Sequence, residues 1–422
     1  MKVLLVTHGS RGDVQPFVAL GMELISAGHQ VVLACPAEAA ALAVPHCERV
    51  VPLDDGTNNL VGDRDAWRAV ELNFRGLRGK WLGLKFIRRN RIAMANVLED
   101  LAVLTEYVSG DVDLVVHQVN VPGHAMAEKL GVPAVVVCLQ PFWVPTGSFP
   151  DPLFPFPLPE RFNRLSYLST RMFVHAFTGS TGKWRSQRLE LPVRRRAQNV
   201  LRRPDGSPAP VLQAFSRHVL PDDVRYPGSV HTTGFFFLPA QDWTPPADLE
   251  RFIADGEPPV YVGFGSMVGS DPSRTARIVA EAIRAAGVRA VVALGRGAIR
   301  PEVLGEDVFW LDQAPHDWLF PRMAALVHHG GAGTTGAALA AGRPQVICPF
   351  MFDQPYFGRR LHAIGVAPPP QPLHDLTSSG LAAAIRYATT DPSLSAQAQH
   401  VGALVQAENG VHTAVTTLES LA

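Results

Sequence analysis

Apolar residues come in short runs separated by amphipathic stretches, and the pattern restarts midway. KVLLVT (2–7) reads as a buried strand, and PFVALGMELISAGH (16–29) repeats its apolar positions at helical spacing. QVVLACP (30–36) follows as a second strand. A βαβ unit therefore opens the chain and implies a parallel sheet with a right-handed crossover. DLVVHQ (113–118) and AVVVCLQ (134–140), with a helix around HAMAEKLG between them, add two strands, and VLQAFS (211–216) closes the half. Between them lie PFWVPTGSFPDPLFPFPLPE, too proline-rich for a regular element, and a helical, basic region over 161–203. Proline, glycine and aspartate dominate 221–258, which reads as a connection. The alternation then begins again with PVYVGFGS (259–266), the helix SRTARIVAEAIRAAG, and the strands RAVVALG, DVFWLD, ALVHH and QVICPF.

This pattern predicts an α/β protein of two Rossmann-like, doubly wound domains facing each other across a cleft. The first covers 1–220, the connection 221–258 and the second 259–400, with a helix over 401–422. A length of 422 residues suits two cores rather than one. Lys+Arg and Asp+Glu both number 38, so net charge does not suggest nucleic acid as a partner. Four scattered cysteines form no CxxC pair and read as reduced core thiols, which suits a cytoplasmic location. Residues 75–91 carry seven basic and no acidic side chains, interleaved with Trp81, Leu82, Leu84, Phe86 and Ile87. This stretch reads as a solvated helix beside a binding cleft, or else as a peripheral contact with an anionic membrane. Its three glycines favour the first reading, because they weaken a long amphipathic helix.

Chemistry concentrates in LVHHGGAGTTGAALAAGRPQVICPFMFDQ (326–354). A strand, a glycine turn and a helix N-terminus converge N–H groups and positive dipole on one point, which suits a phosphate. Asp353 and Gln354 lie past the next strand's C-terminal end, where open α/β sheets bind ligands, and their carboxylate and amide suit hydroxyl groups. Two other motifs are decoys. The glycines of GFGSMVG (263–269) are misspaced for a dinucleotide, and no acidic residue ends the next strand. Asp111 and Asp113 precede their strand, at the wrong edge of a parallel sheet for a metal site.

HHGGAGTT followed by PxxxDQP resembles the donor-site signature of family 1 glycosyltransferases of the GT-B fold, in particular the antibiotic, macrolide and sterol glucosyltransferase branch. The resemblance implies that His329, Gly331, Gly333 and Thr334 hold the donor diphosphate, with Ser266 as a second phosphate contact. It places the nucleobase at Gln313 and Ala314 and the donor sugar at Asp353 and Gln354. His328 is left as structural. In plant relatives a glutamate eight residues past the phosphate histidine holds the ribose; here Ala337 stands there, so a deoxythymidine nucleotide fits as well as uridine.

GSRGDVQP (9–16) sits where plant relatives carry GHxxP with a histidine base, and Asp13 takes that histidine's place. Without the resemblance Asp13 would read as a helix cap. His117 and Gln118 stand where plant relatives keep the aspartate that holds the base, so that dyad is absent or reversed, and His117 either shares the acceptor proton or lines the pocket. The C-terminal helix is expected to pack back on the first domain, again by resemblance.

The implied activity is inverting, metal-independent transfer of glucose or a deoxysugar from a UDP- or dTDP-sugar to a hydroxyl group. No cofactor is expected beyond the nucleotide-sugar co-substrate. The aromatic loop 141–157, with Phe142, Trp143 and Phe149, points to a lipophilic acceptor such as a polyketide, sterol or other natural product. A monomer or weak homodimer is expected. Two alternatives stay open, a nucleotide-sugar 2-epimerase of the same fold and a non-catalytic nucleotide- or aglycone-binding protein.

Overall fold

The structure, a computed structural model, describes residues 1–56, 58, 76–154, 158–178, 181–194, 198–240, 243–265, 271–295 and 307–421. Two wholly parallel sheets carry the chain. The first contains β1 (Lys2–Val6), β2 (Gln30–Pro36), β3 (Arg49–Leu53), β4 (Leu114–Gln118), β5 (Ala134–Cys138), β6 (Val211–Gln213) and β7 (Val230–Thr232). Its spatial order is β3-β2-β1-β4-β5-β6-β7. The second contains β8 (Val260–Gly263), β9 (Ala290–Ala293), β10 (Val308–Leu311), β11 (Leu326–His328) and β12 (Gln345–Ile347), ordered β10-β9-β8-β11-β12. In both, strand order reverses beside the first strand, between β1 and β4 and between β8 and β11. Ligands of doubly wound sheets bind at such reversals, beyond the strands' C-terminal ends.

The central strands bury both faces, so their successive residues enter different cores. Val3 and Leu5 of β1, with Leu114 and Val116 of β4, pack beneath the Arg11–Ser26 helix with Phe17 and Leu20. Leu4, Val6 and Val115 point the other way, towards Val97, Leu101 and Met126. In the second sheet Val260, Val262 and Val327 share one core and Tyr261 and Leu326 the other.

Two compact units result, Met1–Ala66, Lys80–Leu238 and Glu408–Ala422 in one, Trp67–Gly79 and Pro239–Ala407 in the other. The first sheet takes a strand, β7, from the stretch expected to be connection, and the first unit runs on to Leu238. The expected terminal helix is two helices, Pro392–Ala407 and Gly410–Leu421. They part at Asn409, whose φ of +46° is a left-handed conformation that asparagine tolerates. The second belongs to the first unit, where His412 bonds Glu23 and Glu419 bonds His29.

The basic stretch lies in a continuous 32-residue helix, Gly76–Tyr107, despite its glycines. Leu82 is buried on it, while Trp81 and Leu84 are exposed. No helix of the described residues is long and apolar enough to cross a membrane. All four cysteines are free and buried.

Candidate functional site

In the first unit the chain leaves β1 through Thr7, His8 and Gly9 and enters the helix at Arg11, with Ser10 as N-cap. Asp13 is thus the third residue of the helix rather than its cap. Its carboxylate turns back so that Oδ2 accepts the Ser10 N–H (2.8 Å) and hydroxyl (3.0 Å). Gly9 makes room for this: its φ is +142°, and a Cβ there would stand 2.4 Å from Oδ2. Oδ1 accepts from Gln118 Nε2 at 2.8 Å. Gln118 is itself fixed, because its Oε1 accepts the Thr7 hydroxyl (2.8 Å) and the His8 N–H (3.1 Å). Desolvation raises the Asp13 pKa, and the bonds from Gln118 and Ser10 oppose it without cancelling it.

The expectation that His117 shares a proton with Asp13 does not fit the structure. His117 pairs with Val6 across β1 and β4, so its side chain follows Leu4 and Val115 to the far face. There it lies fully buried, with Nδ1 2.9 Å from the Gln118 carbonyl and the ring against Gly123. Burial lowers its pKa to about 4. Gln118, one residue on, points to the face of the Arg11–Ser26 helix and takes the place beside Asp13. His8 is also buried and bonds the Asp54 carbonyl at 3.0 Å.

The aromatic loop after β5 is tied down by Asp151, only 1% exposed. Its carboxylate accepts from Leu153 N (2.9 Å), Thr170 N (3.0 Å) and Ser169 Oγ (2.7 Å). Phe142 and Phe149 are buried in the loop's own packing, against Trp143 and Tyr167. Trp143 is half-buried and donates to Gln140 Oε1 at 3.1 Å. Asp111 and Asp113 bond Lys2 and Arg49 at the opposite, N-terminal edge of the sheet. Those cations hold Asp111 near a pKa of about 2.

In the second unit β11 ends at His328, which is fully buried. Its Nδ1 accepts the Gly330 N–H at 3.1 Å, so Nε2 carries the proton and donates to Gln345 Oε1 at 2.9 Å. His328 thereby shapes the turn. Gly330 takes a φ of +86°, and a Cβ there would stand 2.8 Å from Ile347 and 3.3 Å from the Gln354 carbonyl. This close approach brings the turn against the start of the Gln354–Ala363 helix. The helix after the turn is Ala332–Ala340. Gly331 is its N-cap, with no capping side chain and no acidic residue in the first turn.

Beside this N-terminus the His329 ring is wedged between glycines. A Cβ on Gly331 would stand 2.4 Å from Nε2, and one on Gly265 3.3 Å from Cε1. Nδ1 is covered and has no partner among the described residues. Burial, helped by His328 and His316, lowers the His329 pKa to about 3, so the free ring is a neutral N–H donor at pH 7. Thr334 is half-buried in the first turn, and Gly333 faces open space. Gln354 is buried and its Oε1 accepts from Phe350 N (2.7 Å) and Met351 N (3.1 Å), shaping the loop that presents half-buried Asp353. Gln313 is exposed and Ala314 half-buried in the turn after β10. Ser266 lies outside the described residues. Among the described residues no group of three or more His, Cys, Asp or Glu could hold a metal ion.

Known proteins share this architecture. The glycosyltransferase of kitacinnamycin has a TM-score of 0.72 at 19% identity, covering 99% of this chain and 98% of that one. The glycosyltransferase VinC, solved in complex with dTDP, has a TM-score of 0.67 at 19% identity, covering 100% and 99%. At such identities the likeness shows the fold, which is that of GT-B glycosyltransferases. Residues 3–145 match the glycosyltransferase family 28 N-terminal domain, and 289–421 the erythromycin biosynthesis protein CIII-like C-terminal domain. The chain is 34% identical to O-mycaminosyltylonolide 6-deoxyallosyltransferase of Streptomyces fradiae, covering 100% of this chain and 98% of that protein. It is 33% identical to sterol 3-beta-glucosyltransferase of Emericella nidulans over 99% of its own length, but spans only 30% of that protein. The chain belongs to the glycosyltransferase family of these macrolide and sterol proteins.

Proposed function

We propose that the chain transfers a sugar from a UDP- or dTDP-sugar to a hydroxyl of a lipophilic acceptor, with inversion and without a metal. The observation that carries this is the uncapped helix N-terminus at Gly331, set beside a covered imidazole nitrogen of His329 that has no partner among the described residues. Such a site receives an anion, and a diphosphate leaving group is one. Asp13, raised in pKa but held by three donors, is the base. It takes the acceptor's proton as the oxygen attacks C1 from the face opposite the diphosphate. The C1–O bond breaks and its electron pair leaves on the diphosphate, whose charge His329, Thr334 and the helix N–H groups stabilise. Asp353 and Gln354 meet the sugar hydroxyls. Trp143 serves the acceptor, with buried Phe142 and Phe149 supporting its loop. The near full-length match to a 6-deoxyallosyltransferase supports a deoxysugar, and the sterol 3-beta-glucosyltransferases support glucose; the dTDP complex of VinC supports a dTDP nucleotide.

The test incubates the protein with UDP-glucose or dTDP-glucose and either a sterol or a macrolide aglycone, in EDTA, and follows diphosphate release. Acceptor-dependent release is expected. An epimerised nucleotide sugar formed without acceptor would favour the epimerase, and nucleotide binding without turnover the non-catalytic protein. Turnover abolished by EDTA and restored by Mg²⁺ or Mn²⁺ would overturn metal independence.

A further inference from the structure

The Asp13 carboxylate is used unequally by its donors. Each carboxylate oxygen offers about two acceptor sites, and Ser10 supplies two donors to Oδ2. Among the described residues Oδ1 receives only Gln118 Nε2. A turned amide would set its NH₂ against the His8 N–H and its oxygen against the Asp13 carboxylate, so Nε2 is the atom that faces Asp13. Resting on the base role proposed above, we infer that Gln118 is a positioning residue for Asp13, and that Oδ1 is the atom that receives the acceptor's proton.

The amide meets Asp13 with N–H in every state of the site, so it favours the ionised carboxylate that a base must be. Desolvation pulls the other way, and at Oδ1 Gln118 alone opposes it. Among the described residues the titratable side chain whose charge acts on Asp13 is His8. Burial lowers the pKa of His8, which leaves it neutral at pH 7. Electrostatic support for the base therefore comes from fixed dipoles, those of Gln118 and Ser10 at the start of the helix.

The test follows Asp13 directly, by carboxyl ¹³C NMR titration of ¹³C-aspartate-labelled protein, with the Asp13 signal identified by its loss in Asp13→Asn. In Gln118→Met the Asp13 titration should move up by about one to two pH units, the size expected for losing a hydrogen bond to a charged group. In Gln118→Glu it should move further, because two carboxylates then share a proton. The acid limb of kcat should follow, with KM for UDP-glucose or dTDP-glucose unchanged. An unmoved titration in either variant overturns the inference.

A second measurement covers variants that do not fold. Asp13→Asn sets its NH₂ against that of Gln118 and should melt below wild type. Asp13→Asn/Gln118→Glu restores donor to acceptor and should melt above the single variant while staying slow. A double variant melting no higher than Asp13→Asn overturns the inference. Failure of the base reading is separate, since it would show as near-normal turnover in Asp13→Asn whatever Gln118 does.

Discussion

The loop after β1 and the turn after β11 are built alike. Each leaves a parallel strand beside a reversal of strand order, passes a glycine of positive φ (+142° at Gly9, +86° at Gly330) and enters a helix. At the first helix the chain returns its own carboxylate to the N-terminus, from Asp13 to Ser10. At the second the N-cap is Gly331, with no capping side chain and no acid in the first turn. A helix N-terminus favours negative charge in both cases. Where the chain supplies that charge, the result is a held acid–base group. Where it supplies none, the result is a receptor for an anion from outside.

Breaking the first turn should have the largest effect. Asp13→Asn is expected to slow turnover by about 10²–10⁴-fold, the usual range for general base catalysis. Near-normal turnover would return Asp13 to a capping role.

The second turn should respond in binding. His329→Ala is expected to weaken UDP and dTDP binding by about 10–100-fold, as for a lost hydrogen bond to a charged group, read by calorimetry. Gly331→Ala should act in the same direction. Its φ of −64° admits alanine, but the new Cβ would displace the His329 ring. Unchanged affinity in both variants would mean that the anion sits elsewhere.

Acid should test the histidine behind that turn. The His328 pKa falls from an unfolded value near 6.5 to about 4, so the unfolded chain takes the proton first. The stability the neutral ring supplies is intact above pH 6.5 and is lost as pH falls towards 4, by about 1.4 kcal/mol per pH unit. His328→Asn should therefore flatten the dependence of the urea midpoint between pH 6.5 and 4.5. An equally steep variant would assign the acid sensitivity to other groups.

The smallest effect sharpens the contrast. Gly333 is helical and faces open space, so Gly333→Ala should raise stability by about 0.5–1 kcal/mol. If a phosphate approaches that face, the same variant should bind dTDP less well although it melts higher.

Much of this was legible in the sequence because both sheets are parallel and buried on both faces. Runs such as VLLV, VVLA and VYV have to be apolar throughout, and glycine and proline bound them. The strands missed were at the edges: RVVPL at β3 is largely half-exposed and contains a proline, and VHT at β7 has only three residues. Their pairing depends on a neighbour already in place, not on their own pattern. The break at Asn409 was missed because helical spacing of apolar residues continues on either side of one residue in a left-handed conformation.

By itself the sequence determined the strand–turn–helix units and which residue types stand at their turns, since glycine spacing and apolar period are local properties. The roles of Asp13 and His329 were read from the family resemblance of those turns, not from the turns alone. Only the tertiary structure decided between His117 and Gln118. Neighbours on a strand face opposite sides, and the pairing of Val6 with His117 sends the imidazole into the far core and Gln118 to Asp13. Which face of β4 meets the Arg11–Ser26 helix depends on the pairing of strands more than a hundred residues apart, and no local pattern encodes it.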